Sequence, residues 1–589
     1  MMRTNLGDWR LIENTSASGV REVHCPKVNF TSNVLSTPPA WIDPLTDRKG
    51  TGAARSCQNT ATRGPAQPRL HRAPGRMACR RFYSARSNQD IGNHVIPTIP
   101  QHGTIFYASG EQKASAVFLN EELVITSGLI LSDNKDYAEI VTNAVKQCPV
   151  LDIGKSTALK PISQLDFRVV RKQNDVLHEQ AARALHLVHS RRVNDCLEKL
   201  LDGLHACLNG EVKPIRAYTA LYASIIILST NTSKFAPRDW DQIKTVLDRL
   251  NPESSDPPRL LDQVITVSTP FGNESFFNTL NVGHVSNMFG EHDCVLLLDT
   301  HLTFGCHGGA VYNRNMRIQG FLMGSTFVYR NENISLPLAI NIEEILSITL
   351  NRRHLCQSRN ISFPEQAFRS VCMIDSQGCW GTGCAFELNR KQYIISCSHV
   401  LATDNITCVF NDRKVVTPRL VYKNPIFDSA YDIALMEASF DEAQSPNWFC
   451  RLADYIPSIG QRLYAIGFPV FKSLASCGAH FRPSIIPGRA TKYCEGILYT
   501  DCSIQCGQSG GPIFDENGLL VAIAVSNFKS SLDNHIHNCH NMCVPVRDIY
   551  NVLVKFSETN DKSTLQGLEA NWNIKCKWKL KPPTILNKL

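Results

Sequence analysis

Three short segments of the chain hold residue types that can do nucleophilic chemistry together. "QYIISCSHVLA" puts His399 just after an apolar run, "SAYDIALMEA" puts Asp432 at the mouth of another, and "CGQSGGPIF" puts Ser509 in a glycine-framed turn. A serine hydroxyl is a weak nucleophile at neutral pH. It needs an imidazole within reach to take its proton, and that imidazole needs a carboxylate to hold its tautomer and stabilise the imidazolium. Gly507 lets the backbone turn so that its N–H and that of Ser509 converge on the oxyanion of a tetrahedral intermediate, while Gly510 and Gly511 keep the turn free of side chains. Each fragment alone reads more often as an ordinary turn or a structural histidine. Their order, His then Asp then Ser, 33 and 77 residues apart in one β-rich block, is far more specific.

Stepping outward, 589 residues are too many for one core, and the length predicts roughly three or four domains. Residues 1–95 are rich in Pro, Arg, Ser and Gly without periodicity and read as a disordered or leader segment. From about residue 96 the texture changes to short alternating runs, "TIFYAS", "SAVFLN" and "ELVIT", separated by turn residues, which predicts an all-β protein of sandwiches or barrels. In "VLHEQAARALHLVHSRRVNDCLEKLLDGLHACL", residues 176–208, Leu and Ala recur at helical spacing, so a helix or helix pair is expected there, inserted near 170–215. A second β-rich block spans 353–556, and 557–589 is read as a tail.

Charge excludes one class of function. Residues 1–90 carry 14 Lys plus Arg against 6 Asp plus Glu, which accounts for the whole net charge of +8 and leaves 47 of each sign in the remainder. With no basic stripe on the folded part, no nucleic-acid partner is expected. The longest apolar runs, such as "LYASIIIL", are strand length rather than the ~20 residues of a membrane span, so a soluble protein is expected. The chain has 22 cysteines but starts without the apolar core of an export signal, so reduced thiols are expected. Neither cofactor nor metal is called for. The cluster "HIHNCHNMC", with His535, His537, Cys539, His540 and Cys543, matches no zinc spacing and is read as a solvated loop.

The three chemical segments together resemble the trypsin-like double barrel in its shorter Deg or HtrA-like version. The expected fold is therefore two tandem trypsin-like double β-barrel domains, a degenerate one with the helical insertion at 96–352 and a catalytic one at 353–556. Gln508 stands where trypsins that are activated by cleavage carry an Asp, so activation through a new N-terminus is not expected. The resemblance places Ser503 at the floor of the specificity pocket and Ser526 and Phe528 on its wall, an uncharged pocket suited to a small or medium side chain. Laying "ELVITSGLIL", "ASIIIL" and "FGCHGGAVY" over the three chemical segments puts Gly128, Ser224 and His307 at the positions of His399, Asp432 and Ser509. The first block is on this reading a duplicate without the chemistry. The separations are 96 and 83 residues, and the excess of 63 in the first of them is assigned to the inserted helix.

The chain ends Asn587-Lys588-Leu589, a variant of the Ser-Lys-Leu peroxisomal address. A degenerate block, an intact block and such a terminus together resemble the peroxisomal and glyoxysomal leader-peptide-processing proteases. The resemblance implies removal of leader peptides from imported matrix enzymes with cleavage after Cys, processing of fatty-acid β-oxidation enzymes, self-cleavage, a homodimer, and an import receptor as partner. Two other readings are open: a mitochondrial or other intracellular quality-control protease, prompted by the acid-free, Arg-rich residues 48–89, and a scaffold in which both blocks are inert.

Overall fold

The computed structural model describes residues 102–578 apart from 108–111, 174–175, 209–210, 232–239, 251–256, 330–331, 353–362, 426–430, 441–448, 470–480 and 530–535. Residues 1–95, and the terminal Asn587, Lys588 and Leu589, therefore lie outside the described residues. The described chain builds four sheets, of seven, eight, seven and seven strands, antiparallel except where Arg451–Leu452 runs parallel to Leu519–Lys529. Each β-rich block supplies two of them. In the first, the sheet of strands between His102 and Ser229 closes on itself because Val176–His189 pairs with both Phe167–Gln173 and Ser224–Ser229. The next sheet closes through the pairing of Ala310–Asn313 with both Gln263–Ser268 and Ile318–Tyr329. The last sheet repeats that closure with Pro512–Phe514, Arg462–Gly467 and Leu519–Lys529. Strands alternate large apolar side chains into these barrels, with Phe167, Tyr312, Phe386 and Phe514 among the side chains fully removed from water. The fold is the expected all-β one.

The expected helix at 176–208 is corrected. Val176–His189 is a 14-residue strand, and only Arg191–Leu200 is helical. In "QAARALHLVH" the burial of Ala182 and Ala184, with Arg183 exposed between them, is a two-residue period that the Leu and Ala content disguised as helix. Barrel closure through Ser224–Ser229 overrides the helical propensity of those residues. The excess length is likewise two insertions rather than one. The first, between the turn Gly128–Leu131 and strand Phe167–Gln173, contains helix Lys135–Ala144. The second follows His189 and contains helix Arg191–Leu200 and the hairpin His205–Leu208 with Glu211–Pro214.

The tail also differs from its reading, because residues up to 578 are folded. Helix Val546–Thr559 is followed by a 3-10 turn, Lys562–Leu568, and helix Trp572–Trp578, whose Trp578 indole donates to Gly496 O at 3.1 Å. The cluster at 535–543 is not a loop throughout: Ile536–Pro545 is a strand in the last barrel. Cys543 is fully buried in that barrel's core while His540 is exposed, so the strand's alternation separates the two; His535 lies outside the described residues. The described cysteines are all free thiols. No helix of the described residues is long and apolar enough to cross a membrane.

Candidate active site

The three chemical residues come from two barrels of the second block. His399 lies in the 3-10 turn Ser398–Val400 that follows strand Lys391–Ser396, and Asp432 precedes the neighbouring strand Ala434–Glu437. The Asp432 turn is tied down by its neighbours. Asn424 donates its amide to Tyr431 O at 2.8 Å, and Ser398 Oγ donates to Ile433 O at 2.6 Å. That anchoring is needed because Tyr431 sits at φ +56°, a left-handed conformation unfavourable for a bulky side chain. The Asp432 carboxylate accepts from His399 N at 3.1 Å and from His399 Nδ1 in a close contact. With the ring proton on Nδ1, Nε2 is left with a free lone pair, and it has no hydrogen-bond partner among the described residues. This is the state required of a general base.

Ser509 comes from the other barrel, in the turn before Pro512–Phe514. Gly507 and Gly510 have φ of +92° and +80°, and a Cβ on Gly510 would lie 2.1 Å from Ser396 Oγ and 2.4 Å from Thr382 O. Only glycine fits. Thr382 holds the turn as a hub: its N–H donates to Ser509 O at 2.9 Å, its hydroxyl donates to Gly507 O at 2.8 Å, and the same hydroxyl accepts from Phe468 N at 3.0 Å. Gln508 is buried and its Oε1 accepts from Gln505 N at 2.7 Å, so the loop closes on itself where an acidic residue would need an outside cation. The N–H groups of Gly507 and Ser509 find no acceptor among the described residues. A glycine-framed serine turn, a carboxylate-bound imidazole and two backbone N–H groups without acceptors among the described residues are thus all present.

Cys397 lies beside this pair, its Sγ, a His399 nitrogen and an Asp432 oxygen within 4.8 Å of one another. It is a residue the sequence reading passed over. Burial first, then Asp432, raises its thiol pKa well above the ordinary value, and the thiol donates to Ala524 O at 3.3 Å. It stays protonated and acts as packing.

Ser503, Ser526 and Phe528, the residues expected at a specificity pocket, are half-buried on two neighbouring segments, with Asn527 donating its amide to Ile504 O at 3.0 Å. The structure adds two residues that local motifs did not reveal. Burial pushes the Cys539 thiol up, with the Ser503 hydroxyl beside it partly offsetting this, and Cys539 Sγ lies 3.1 Å from Nε2 of His301, a residue of the first block. The only signal for Cys539 was the His/Cys-rich run, and a single sequence gives none for His301. The blocks also meet where Asn287 and Arg482 bond reciprocally, at 3.1 and 3.2 Å, and Arg482 reaches Asp293 at 3.0 Å.

The first block repeats the site's frame hydrogen bond for hydrogen bond. Ser115 replaces Thr382: its N–H donates to His307 O at 2.9 Å, its hydroxyl to Gly305 O at 2.7 Å, and it accepts from Thr269 N at 2.8 Å. Gly308 N donates to Leu322 O at 2.8 Å as Gly510 N does to Ala524 O at 2.8 Å. This places His307 opposite Ser509, and the pairing of Thr126 with Ile226 and of Ser396 with Ala434 places Ser224 opposite Asp432. It corrects the third pairing by one residue. Thr126 Oγ1 donates to Ser115 O at 2.8 Å as Ser396 Oγ does to Thr382 O at 2.7 Å, so Gly128 falls opposite Ser398, and Leu129 stands at the position of His399. A Cβ at Gly128 would meet Leu221 O at 2.7 Å, which is why glycine occupies that point. No imidazole, carboxylate or hydroxyl remains at its proper place in the first repeat.

Comparison with known proteins agrees with this geometry. Residues 381–523 match the family described as "Trypsin-like peptidase domain". Curated proteins similar to the chain include the peroxisomal leader peptide-processing proteases of Homo sapiens, 23% identical over 361 residues, and of Mus musculus, 23% over 360, each match covering 54% of this chain and 60% of the relative. The serine protease Do-like HtrA of Bacillus subtilis is 28% identical over 160 residues, 25% of this chain and 34% of that protein. The chain therefore spans about 60% of the length of the first relatives it matches. Its second repeat contains a trypsin-like peptidase domain, and over about 54% of its length the chain resembles, distantly but consistently, the peroxisomal leader peptide-processing protease.

Proposed function

We propose that the chain is a serine endopeptidase that removes N-terminal leader peptides from proteins of the peroxisomal matrix, with Ser509 as nucleophile, His399 as general base and then general acid, and Asp432 orienting it. The observation that carries this reading is the Asp432-bound His399, whose Nε2 makes no hydrogen bond among the described residues, together with a serine turn whose Gly507 and Ser509 N–H groups find no acceptor among them. Attack by Ser509 Oγ on the scissile carbonyl passes its proton to Nε2, the two N–H groups take the developing charge, and the imidazolium then protonates the leaving amine. Water repeats the sequence on the acyl-enzyme. The names of the mammalian relatives support the peroxisomal location and the leader-peptide substrates. The uncharged pocket around Ser503 and Cys539 suits cleavage after a small residue such as Cys. A homodimer, an import receptor reading Asn587-Lys588-Leu589, self-cleavage and processing of β-oxidation enzymes belong to the same proposal.

A fluorophosphonate probe is expected to label the folded chain and to fail on Ser509→Ala. Leader peptides differing only at the residue before the cut are expected to be cleaved best with Cys there. Labelling without any preference at that residue would overturn the specificity while leaving the endopeptidase intact. The likeness to Do-like HtrA supports a second reading, a quality-control protease; degradation of an unfolded protein such as casein at many unrelated sites would favour it.

A further inference from the structure

The first repeat keeps half of an active site, and that half is a binding device. Gly305, at φ +82°, and His307 present N–H groups that find no acceptor among the described residues, while Ser115 Oγ holds the Gly305 carbonyl away on the other side. Two converging amides without an acceptor are an anion site. They belong to the lining of a cavity of about 330 Å³, whose walls include Leu129, Leu208 and Tyr222 and whose polar lining includes Lys113. Phe271 and Phe304, 56% and 45% exposed, line the same cavity and leave apolar surface facing water. With Leu129 at the position of His399 and His307 at that of Ser509, the histidine–serine pair of the second repeat is missing here.

We propose that this cavity binds the free carboxylate of a short peptide end: the carboxylate on the Gly305 and His307 amides, opposite the charge of Lys113, and the terminal side chain among Leu129, Leu208 and Tyr222. Three observations select this occupant. Donor amides and a lysine favour a carboxylate over a neutral peptide carbonyl. Beside the polar Thr303, Ser325 and Thr326, the lining includes Leu129, Leu208 and Tyr222, so a hydrophobic stem on the carboxylate has apolar surface to cover. The inserted hairpin pairs with Ile318–Tyr329 at Ala206 with Phe327 and His205 with Val328, so that edge is already taken by a strand of the same chain. At the small end of the ~300–1,000 Å³ typical of ligand pockets, the cavity suits one or two residues. The surroundings are not uniformly positive: Asp133 accepts from Gln112 N at 2.6 Å and acts on His307, so Lys113 has this charge to offset. The proposal does not depend on the second repeat's activity.

The test is isothermal titration of the full chain carrying Ser509→Ala with N-acetyl-alanyl-leucine as the free acid and as its amide. The acid is expected to bind at least tenfold more tightly than the amide. Lys113→Glu and Phe304→Ser are each expected to weaken the acid at least fivefold with the melting temperature retained. Equal binding of acid and amide, no binding of either, or acid binding that survives both substitutions would overturn the proposal; the last result would place the peptide in the second repeat instead.

Discussion

His399 Nδ1 contacts the Asp432 carboxylate, and the proposed base function rests on that single bond. Asp432→Asn is expected to leave the fold intact and to lower kcat by about 10⁴-fold, because an amide that donates to Nδ1 puts the ring proton on Nε2; burst kinetics with an activated ester would measure it. Thr382→Val removes a hydroxyl that serves both Gly507 O and Phe468 N. Two buried backbone groups are then unpaired, so we expect a loss of about 1–3 kcal/mol in denaturant unfolding and slower phosphonate labelling of Ser509. At the proposed pocket, Cys539→Val leaves shape nearly unchanged but removes the thiol beside Ser503 and His301. It is expected to narrow any preference for a polar residue before the cut, read as a change in relative kcat/KM among peptides. His399, Asp432 and Ser509 were legible because each sits in a local motif and the order of the motifs is informative. Leu129 was not, because a strand's register shifts by single residues, and only the Thr126 and Ser396 hydroxyls fix which residue faces which.

At the scale of elements, the turns are legible and the long strand is not. The glycine frames "GCHGGA" and "GQSGGP" declare themselves because positive φ and a Cβ-free contact admit one residue type. Gly510→Ala is accordingly expected to unfold the serine turn, abolishing labelling even where circular dichroism shows the barrels intact. Val176–His189 was misread because Ala and Leu favour helix locally, while the partners that make it a strand lie on both sides in sequence, at 167–173 and 224–229. Where the repeats meet, Arg482 bonds Asn287, Met288 and Asp293 from a half-buried position. Arg482→Ala should cost about 2–4 kcal/mol, less than a fully buried pair because Asp293 is 21% exposed. Chemical denaturation of the variant would register this as a lower midpoint.

For the whole molecule, acid should act on stability through the first repeat's buried histidines. In the first repeat, burial lowers the pKa of His102 to about 3 and of His189 and His307 to about 4. These groups are neutral when folded, whereas in the unfolded chain they take up protons below the ordinary histidine value of about 6.5. The unfolded state therefore binds more protons, so stability is present at neutral pH and is lost progressively as pH falls from about 6.5 towards 4. Melting temperature against pH should show that slope, and His307→Gln should flatten it. The all-β architecture and the tandem duplication were legible at this scale from strand texture and from two matching glycine frames. Folding of the segment after residue 556 onto Gly496 was not, because a contact across 82 positions leaves no periodic trace.

The Ser115 and Thr382 hubs have a consequence for how such a pair of repeats can diverge. Each loop is tied by backbone partners and one hydroxyl on a neighbouring strand, none of them a chemical residue of the site. The scaffold of a reaction was thus insulated from the reaction itself, and drift could erase the reagents without collapsing the vessel. The first repeat is in this sense a natural blank: grafting histidine, aspartate and serine at 129, 224 and 307 would ask how much of a protease is its vessel, with the second repeat of the same chain as the standard.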